Sequence, residues 1–170
     1  MPIPASTAWE RSECLGSSVY PVYGELMKEA AQGEMAFMDD TTNRILDLKK
    51  QLKAENAERT GIYTTGIVSK NGDREIHLFM TGNKYAGENL DLMLNDRDKN
   101  LPPILTMSDA AAMNNTKMNP KQTSLCMTHG RRGFVDLQKT KEKNDLTYYP
   151  IHLIGKIYYF YKLAREAELS

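Results

Sequence analysis

The chain has 170 residues, the size of one ordinary domain with a buried core, and its 22 Lys plus Arg balance 22 Asp plus Glu at zero net charge. That balance excludes a global basic footprint for nucleic acid, so any DNA contact is a local one. Two cysteines far apart in sequence, Cys14 and Cys126, exclude a disulfide-dense secreted scaffold and favour a reducing cytoplasm.

The N-terminal text "MPIPASTAWERSECLG" carries charges where a signal peptide needs an apolar core, so export by that route is not expected. From Ser6, "STAWERSECLGSSVYPVYGELMKEAAQ" reads as two helical pieces, the first capped by Ser6 or Thr7 and the second with Pro21 in its first turn. Residues 1–33 thus form a helical lead-in. "EMAFMDD" reads as a strand that breaks on two adjacent acids, Asp39 and Asp40. An Asp pair there is a turn-forming strand end or, alternatively, a metal ligand lifted to the rim of a sheet. "LDLKKQLKAENAERTG" is a charged excursion, either a short solvated helix or a long hairpin loop.

In "GIYTTGIVSKNGDREIHLFMTG" two β-rich runs flank an Asn-Gly pair, a strong hairpin signal. "YAGENLDLMLNDRD" sets Leu90, Met93 and Leu94 at helical spacing, and "LPPILTMSDAAAMN" follows as a short strand ending in Ser108 and Asp109. "TSLCMTHGRRGFVDLQKTK" reads as a strand passing into a helix near His129, and Pro150 to Leu169 as a long helix with an aromatic face. Its apolar run "YYPIHLIGKIYYFYKLA" is cut by Lys156 and Lys162, and no window nears the roughly 18 apolar residues of a membrane span, so a soluble protein is expected.

The order is strand, strand, strand, helix, strand, strand, helix. Three hairpin-joined antiparallel strands followed by alternating helix and strand predict a mixed α/β sheet covered by helices on both faces. This is the order of a ribonuclease-H-like fold, in which the first and fourth strands are neighbours. Asp39 and Asp109 then meet above the sheet, while Asp40 points to the opposite side if its strand persists.

The segments "PIPASTAWER", "MDDTTNRIL", "RTGIYTTGIVS", "PPILTMSDA" and "CMTHGRRGFVDL" fall in the order and at the spacing seen in transposases of the insertion sequence 66 family. The chain resembles that family from about Pro2 to Leu169. The resemblance implies a DDE-type DNA transposase: metal-dependent phosphoryl transfer, DNA cleavage and strand transfer at insertion-sequence ends, with Mg²⁺ or Mn²⁺ as cofactor. Asp39 resembles the first acid of the metal-binding triad and Asp109 the second. The family's third acid, a Glu, lies in a downstream segment that this chain does not carry, and a zinc-binding DNA-recognition region precedes the family's counterpart of "MPIPAST". Residues 34–170 are accordingly expected to form a partial catalytic domain, a fragment cut at both ends that binds metal weakly and is inactive alone. Glu166 and Glu168 stand where the family's sequence precedes its Glu, and are not expected to replace it.

Cys126 and His129 have the spacing of half a zinc site, with no matching pair nearby. A Cys-x-x-His pair recurs in several transposase groups, and the resemblance implies a packing and positioning feature beside the site. Arg131 and Arg132 are either a DNA-phosphate grip or a solvated surface pair. A second reading of the whole chain is a regulator without catalysis that binds element ends or the full-length transposase. Removal of covering helices predicts an exposed aromatic patch and, with it, a homodimer or an aggregation-prone monomer.

Overall fold

Alternation of side chains builds the strand predicted at "EMAFMDD". In the computed structural model, which describes residues 3–140 and 145–167, it is β1, Met35–Asn43. Ala36 and Met38 turn to one face and are buried, whereas Met35 and Phe37 turn to the other and are half-buried. β2 (Ile62–Asn71) and β3 (Arg74–Gly82) form the expected antiparallel hairpin. Pairing of Asn71 with Arg74 leaves Gly72 and Asp73, rather than Asn71 and Gly72, as the two turn residues. Gly72 has φ +56°, a conformation that glycine adopts without a Cβ clash and that the first position of a type II′ turn requires.

β4 (Ile104–Ser108) and β5 (Lys121–Leu125) complete a five-stranded sheet in the order β3-β2-β1-β4-β5. β1 runs antiparallel to β2 and parallel to β4, so the sheet is mixed and its first and fourth strands are neighbours. The helices are α1 (Ala5–Ala31), α2 (Leu46–Ala54), α3 (Ala86–Leu94), α4 (Met127–Lys139) and α5 (Asp145–Glu166), with a 3₁₀ turn at Ala112–Asn114. The charged excursion after β1 is therefore a short helix, with Leu52 its one buried residue.

Two helix readings need correction. α1 is continuous through Pro21, and Pro4 rather than Ser6 or Thr7 occupies its N-cap. Proline forfeits a single helical hydrogen bond while keeping a helical φ. The turns after it are anchored, because Ala30 and Ala31 are buried and Tyr23 and Met27 pack against the core. α5 begins at Asp145 and carries Pro150 inside it, where the forfeited bond falls near the helix start.

The chain divides into two compact units, Met1–Ser124 and Leu125–Ser170. In the first, α1 and α3 lie on one face of the sheet, where Leu90, Met93 and Leu94 meet Ala36, Met38, Ile67, Leu78 and Ile104. Burial of these apolar side chains is the main stabilising term of the unit. Arg97, just after α3, donates from Nη1 to the carbonyls of Ala31 (2.5 Å) and Gly33 (2.8 Å) and from Nη2 to that of Pro102 (2.7 Å). One guanidinium thereby ties the end of α1 and the approaches to β1 and β4 together. In the second unit α4 packs with α5, and the hydroxyls of Thr128 and Tyr158 are 2.9 Å apart.

Among the described residues no helix is long and apolar enough to cross a membrane.

Candidate active site

β1 and β4 pair Met35 with Leu105, Ala36 with Thr106 and Phe37 with Met107, a constant offset of 105 − 35 = 70 residues. The ladder ends there; carried two residues further, the same offset would set Asp39 beside Asp109, which directly follows the last residue of β4. The strand does not break on the two acids as expected: β1 runs on to Asn43, held by its pairing with β2, so Asp39 lies in mid-strand while Asp109 lies just past the end of β4.

Asp39 is exposed, on the face of β1 opposite to the buried Met38, and its Oδ1 accepts the N–H of Asp40 (3.0 Å). Asp40 does different work. The strand continues past it, so its side chain turns to the α3 side. Its Oδ1 accepts the Thr65 hydroxyl (2.5 Å) and its Oδ2 accepts the N–H of Ala86 (2.8 Å), the first residue of α3. A carboxylate on an unpaired N–H at a helix start is stabilising through both hydrogen bond and dipole. Asn89 Nδ2 in turn donates to Thr65 Oγ1 (2.7 Å), which closes a buried polar chain under the helix.

Asp109 is half-buried, and its Oδ1 accepts two hydrogen bonds, from the Ala111 N–H (3.0 Å) and from the Asn114 side-chain amide. Asn114 is buried and sits in the 3₁₀ turn. α3 is the platform for that turn. Asp91, 4% exposed, accepts the N–H groups of Lys117 (2.6 Å) and Asn119 (2.9 Å), and Lys121 Nζ donates to the Asn114 carbonyl (2.8 Å). Burial pushes the Asp91 carboxyl up, but the Lys117 and Asn119 donors outweigh it and hold the group below its ordinary value. Burial lowers the Lys121 ammonium, against the pull of Asp91. Gly87 permits the close approach: a Cβ there would stand 2.7 Å from both the Asn115 carbonyl carbon and the Met113 carbonyl oxygen.

At the head of α3, Glu88 forms a bidentate pair with Arg59 (2.8 Å for each bond) and accepts the Tyr85 N–H (3.0 Å). Arg59, foremost, pushes the Glu88 carboxyl down to about 2. The same guanidinium lies 4.6 Å over the Tyr85 ring. This cluster staples the segment after α2 to the α3 N-terminus. Glu88, Asp91, Asn114 and Gly87 all went unread in the sequence. For Asp91 a signal existed, since it is a lone acid beside Leu90, Met93 and Leu94 on the apolar side of its helix.

The other candidates belong to the second unit. Cys126 is the N-cap of α4, where the His129 N–H, then the His129 ring, hold its thiol below the ordinary value. Arg131 is half-buried and Arg132 exposed, both in the second turn of α4 rather than at its start. Glu166 ends α5 in an ion pair with Lys162 (3.6 Å), and Glu168 lies outside the described residues.

Among the described residues no group of three His, Cys, Asp or Glu side chains is placed to hold a metal ion. The donors at Asp39 and Asp109 are hard carboxylate oxygens, the type that suits Mg²⁺ or Mn²⁺, ions that draw much of their coordination from water and phosphate.

The first unit is therefore an α/β domain built on an open, mixed five-stranded sheet in which β1 and β4 are parallel neighbours. The family model described as Transposase IS66 family matches residues 1–169, and the chain belongs to that family. Neither a curated protein nor a solved structure matches it.

Proposed function

We propose that this transposase chain carries a ribonuclease-H-like catalytic core in which Asp39 and Asp109 are the paired catalytic acids that hold a divalent metal ion. The β1–β4 register supports this reading, because its offset of 70, seen from Met35–Leu105 to Phe37–Met107, would bring Asp39 beside Asp109 if carried two residues further. Strand order and direction support the fold: three antiparallel strands, then β4 parallel to β1. In this reading residues 1–33 are a helical lead-in and 34–170 the catalytic domain.

The parent reaction is phosphoryl transfer on DNA, in which water and then a DNA 3′-hydroxyl attacks a phosphodiester in line. Asp39 and Asp109 would hold Mg²⁺ or Mn²⁺, which when bound would supply positive charge to the phosphate oxygens. Asp39 offers an exposed carboxylate, and Asp109 one already fixed through its Oδ1. Two acids suffice for one weakly held ion, whereas the two-metal clamp of such reactions, about 4 Å between ions, draws on a further acid. The chain alone is thus expected to bind metal weakly and to leave strand transfer undone. Arg131 and Arg132 supply phosphate contacts to insertion-sequence ends. A cytoplasmic setting accords with two free cysteines, and the aromatic surface of α5 with a homodimer or with docking on full-length transposase.

Calorimetric titration of Mn²⁺ into the chain and into Asp39→Asn and Asp109→Asn tests the reading. Both variants should lose most of the heat of binding. Retained binding in both would refute it, and robust cleavage of element-end DNA would refute the expected inactivity. Tight binding to element ends or full-length transposase, with no metal dependence, would favour the regulator instead.

A further inference from the structure

We propose that Asn114 is a positioning residue for Asp109: with the Ala111 N–H it saturates Oδ1 and so presents Oδ2 to the metal. The inference rests on the metal reading above. Asn114 is 5% exposed, and an amide is an expensive group to bury unless its hydrogen bonds are made. Its Nδ2 donates to Asp109 Oδ1, and its backbone carbonyl accepts from Lys121 (2.8 Å). The second donor on the same oxygen is the Ala111 N–H at 3.0 Å. Two donors converging on one oxygen fix both the χ1 and the χ2 of a carboxylate. Among the described residues Oδ2 accepts no hydrogen bond, so it is the oxygen left for a cation.

The position of Asn114 is itself determined from several sides. Asp91 gathers the following loop through the N–H groups of Lys117 and Asn119, Lys121 grips the Asn114 carbonyl, and Gly87 lets the 3₁₀ turn rest on α3. Partners that orient a ligating carboxylate typically change metal affinity by about 10–100-fold when removed. α3, which contributes no ligand, therefore sets the aim of the second acid.

Two measurements test this. In the metal-free chain, the Asn114 side-chain amide protons should exchange slowly with solvent, and Asp109→Ala should abolish that protection. Unchanged protection would overturn the proposal whatever the chain does with metal. With Mn²⁺, Asn114→Ala should weaken binding roughly tenfold. Ala111→Pro removes the other donor at a residue whose φ is already −66°, and should weaken binding as well without disturbing the buried amide. Ala111→Pro also stands in if Asn114→Ala does not fold. Thr116→Val loosens the same loop, whose Thr116 hydroxyl donates to the Asn119 carbonyl (2.7 Å), without touching Asp109, and should leave Mn²⁺ affinity unchanged. Equal weakening by Thr116→Val would reduce Asn114 to a structural part of the loop. Failure of Asp39→Asn and Asp109→Asn to lower affinity would instead remove the metal reading, a result separable from failure of the Asn114 and Ala111 variants.

Discussion

Gly87→Ala sets two opposing effects against each other at one position. Alanine in a helix is favoured over glycine by about 1 kcal/mol, which alone would stabilise α3. The new Cβ, however, would meet the Asn115 carbonyl carbon and the Met113 carbonyl oxygen at 2.7 Å, well inside van der Waals contact, and these are backbone atoms with no rotamer to change. Relief requires the 3₁₀ turn to move away from α3, which stretches the Asp91 bonds to Lys117 and Asn119 and the Lys121 bond to Asn114. Overpacking of this kind costs about 1–3 kcal/mol, and each hydrogen bond weakened adds about 1 kcal/mol. The clash wins, and a net loss of about 3–5 kcal/mol is expected, equivalent to a fall in Tm of about 6–20 °C. Urea denaturation followed by circular dichroism measures it directly. Gly16→Ala and Gly24→Ala in α1 are the comparison, because a Cβ at either meets nothing within 4 Å. Each should raise stability by about 0.5–1 kcal/mol. Stabilisation by Gly87→Ala equal to that of the α1 variants would refute the close packing of α3 on the 3₁₀ turn.

Acid should dissolve the Glu88–Arg59 staple. The folded carboxyl, held near 2 by Arg59, lies below its unfolded value, so its contribution is full above about pH 5 and is lost as pH falls toward 2. With Arg59 partly exposed, that contribution is about 1–2 kcal/mol, and the stability gap between the parent and Glu88→Gln should close between pH 6 and about pH 2. A gap independent of pH would count against the pair. Charge reversal at Arg131 and Arg132 together should weaken DNA binding and lower the salt slope by about 2, whereas an unchanged slope would remove both from phosphate contact. α5 exposes Tyr148, Tyr149, Tyr159, Phe160 and Tyr161, so light scattering should show apparent mass rising with concentration, and Tyr159→Lys with Phe160→Glu should suppress the rise. A constant monomer mass in the parent chain would exclude self-association through this surface.

What the sequence made legible was local. Alternation marked β1, Gly72 marked the hairpin and the spacing of Leu90, Met93 and Leu94 marked α3. Continuity of α1 across Pro21 was not local, because its anchor is the packing of Tyr23, Met27, Ala30 and Ala31 against strands far along the chain. The same distinction divides the site. Asp109 stood out as the acid just past an apolar strand, and Asp39 as the acid after an apolar run, although β1 continues beyond it to Asn43 through pairing with β2 that no local pattern announced. Asp91 acts on Lys117 and Asn119 across a loop, and Gly87 matters only through Asn115 and Met113, partners that no periodicity connects. Asn114 follows a run of three alanines and Met113 with nothing in its neighbours to announce a carboxylate partner. The parity that sends Asp39 and Asp40 to opposite faces was readable. That Asp40 holds the N–H of Ala86 at the start of α3 was not.

Paramagnetic broadening by substoichiometric Mn²⁺, read on the amide signals of the isotope-labelled chain, locates the ion most directly. Signals from Met38–Asp40 and from Ser108–Ala110 should broaden first and together, and Asp39→Asn or Asp109→Asn should abolish both effects at once. Broadening centred on other exposed acids such as Asp47 and Glu55, unchanged in the two variants, would mean that Asp39 and Asp109 do not share a metal ion.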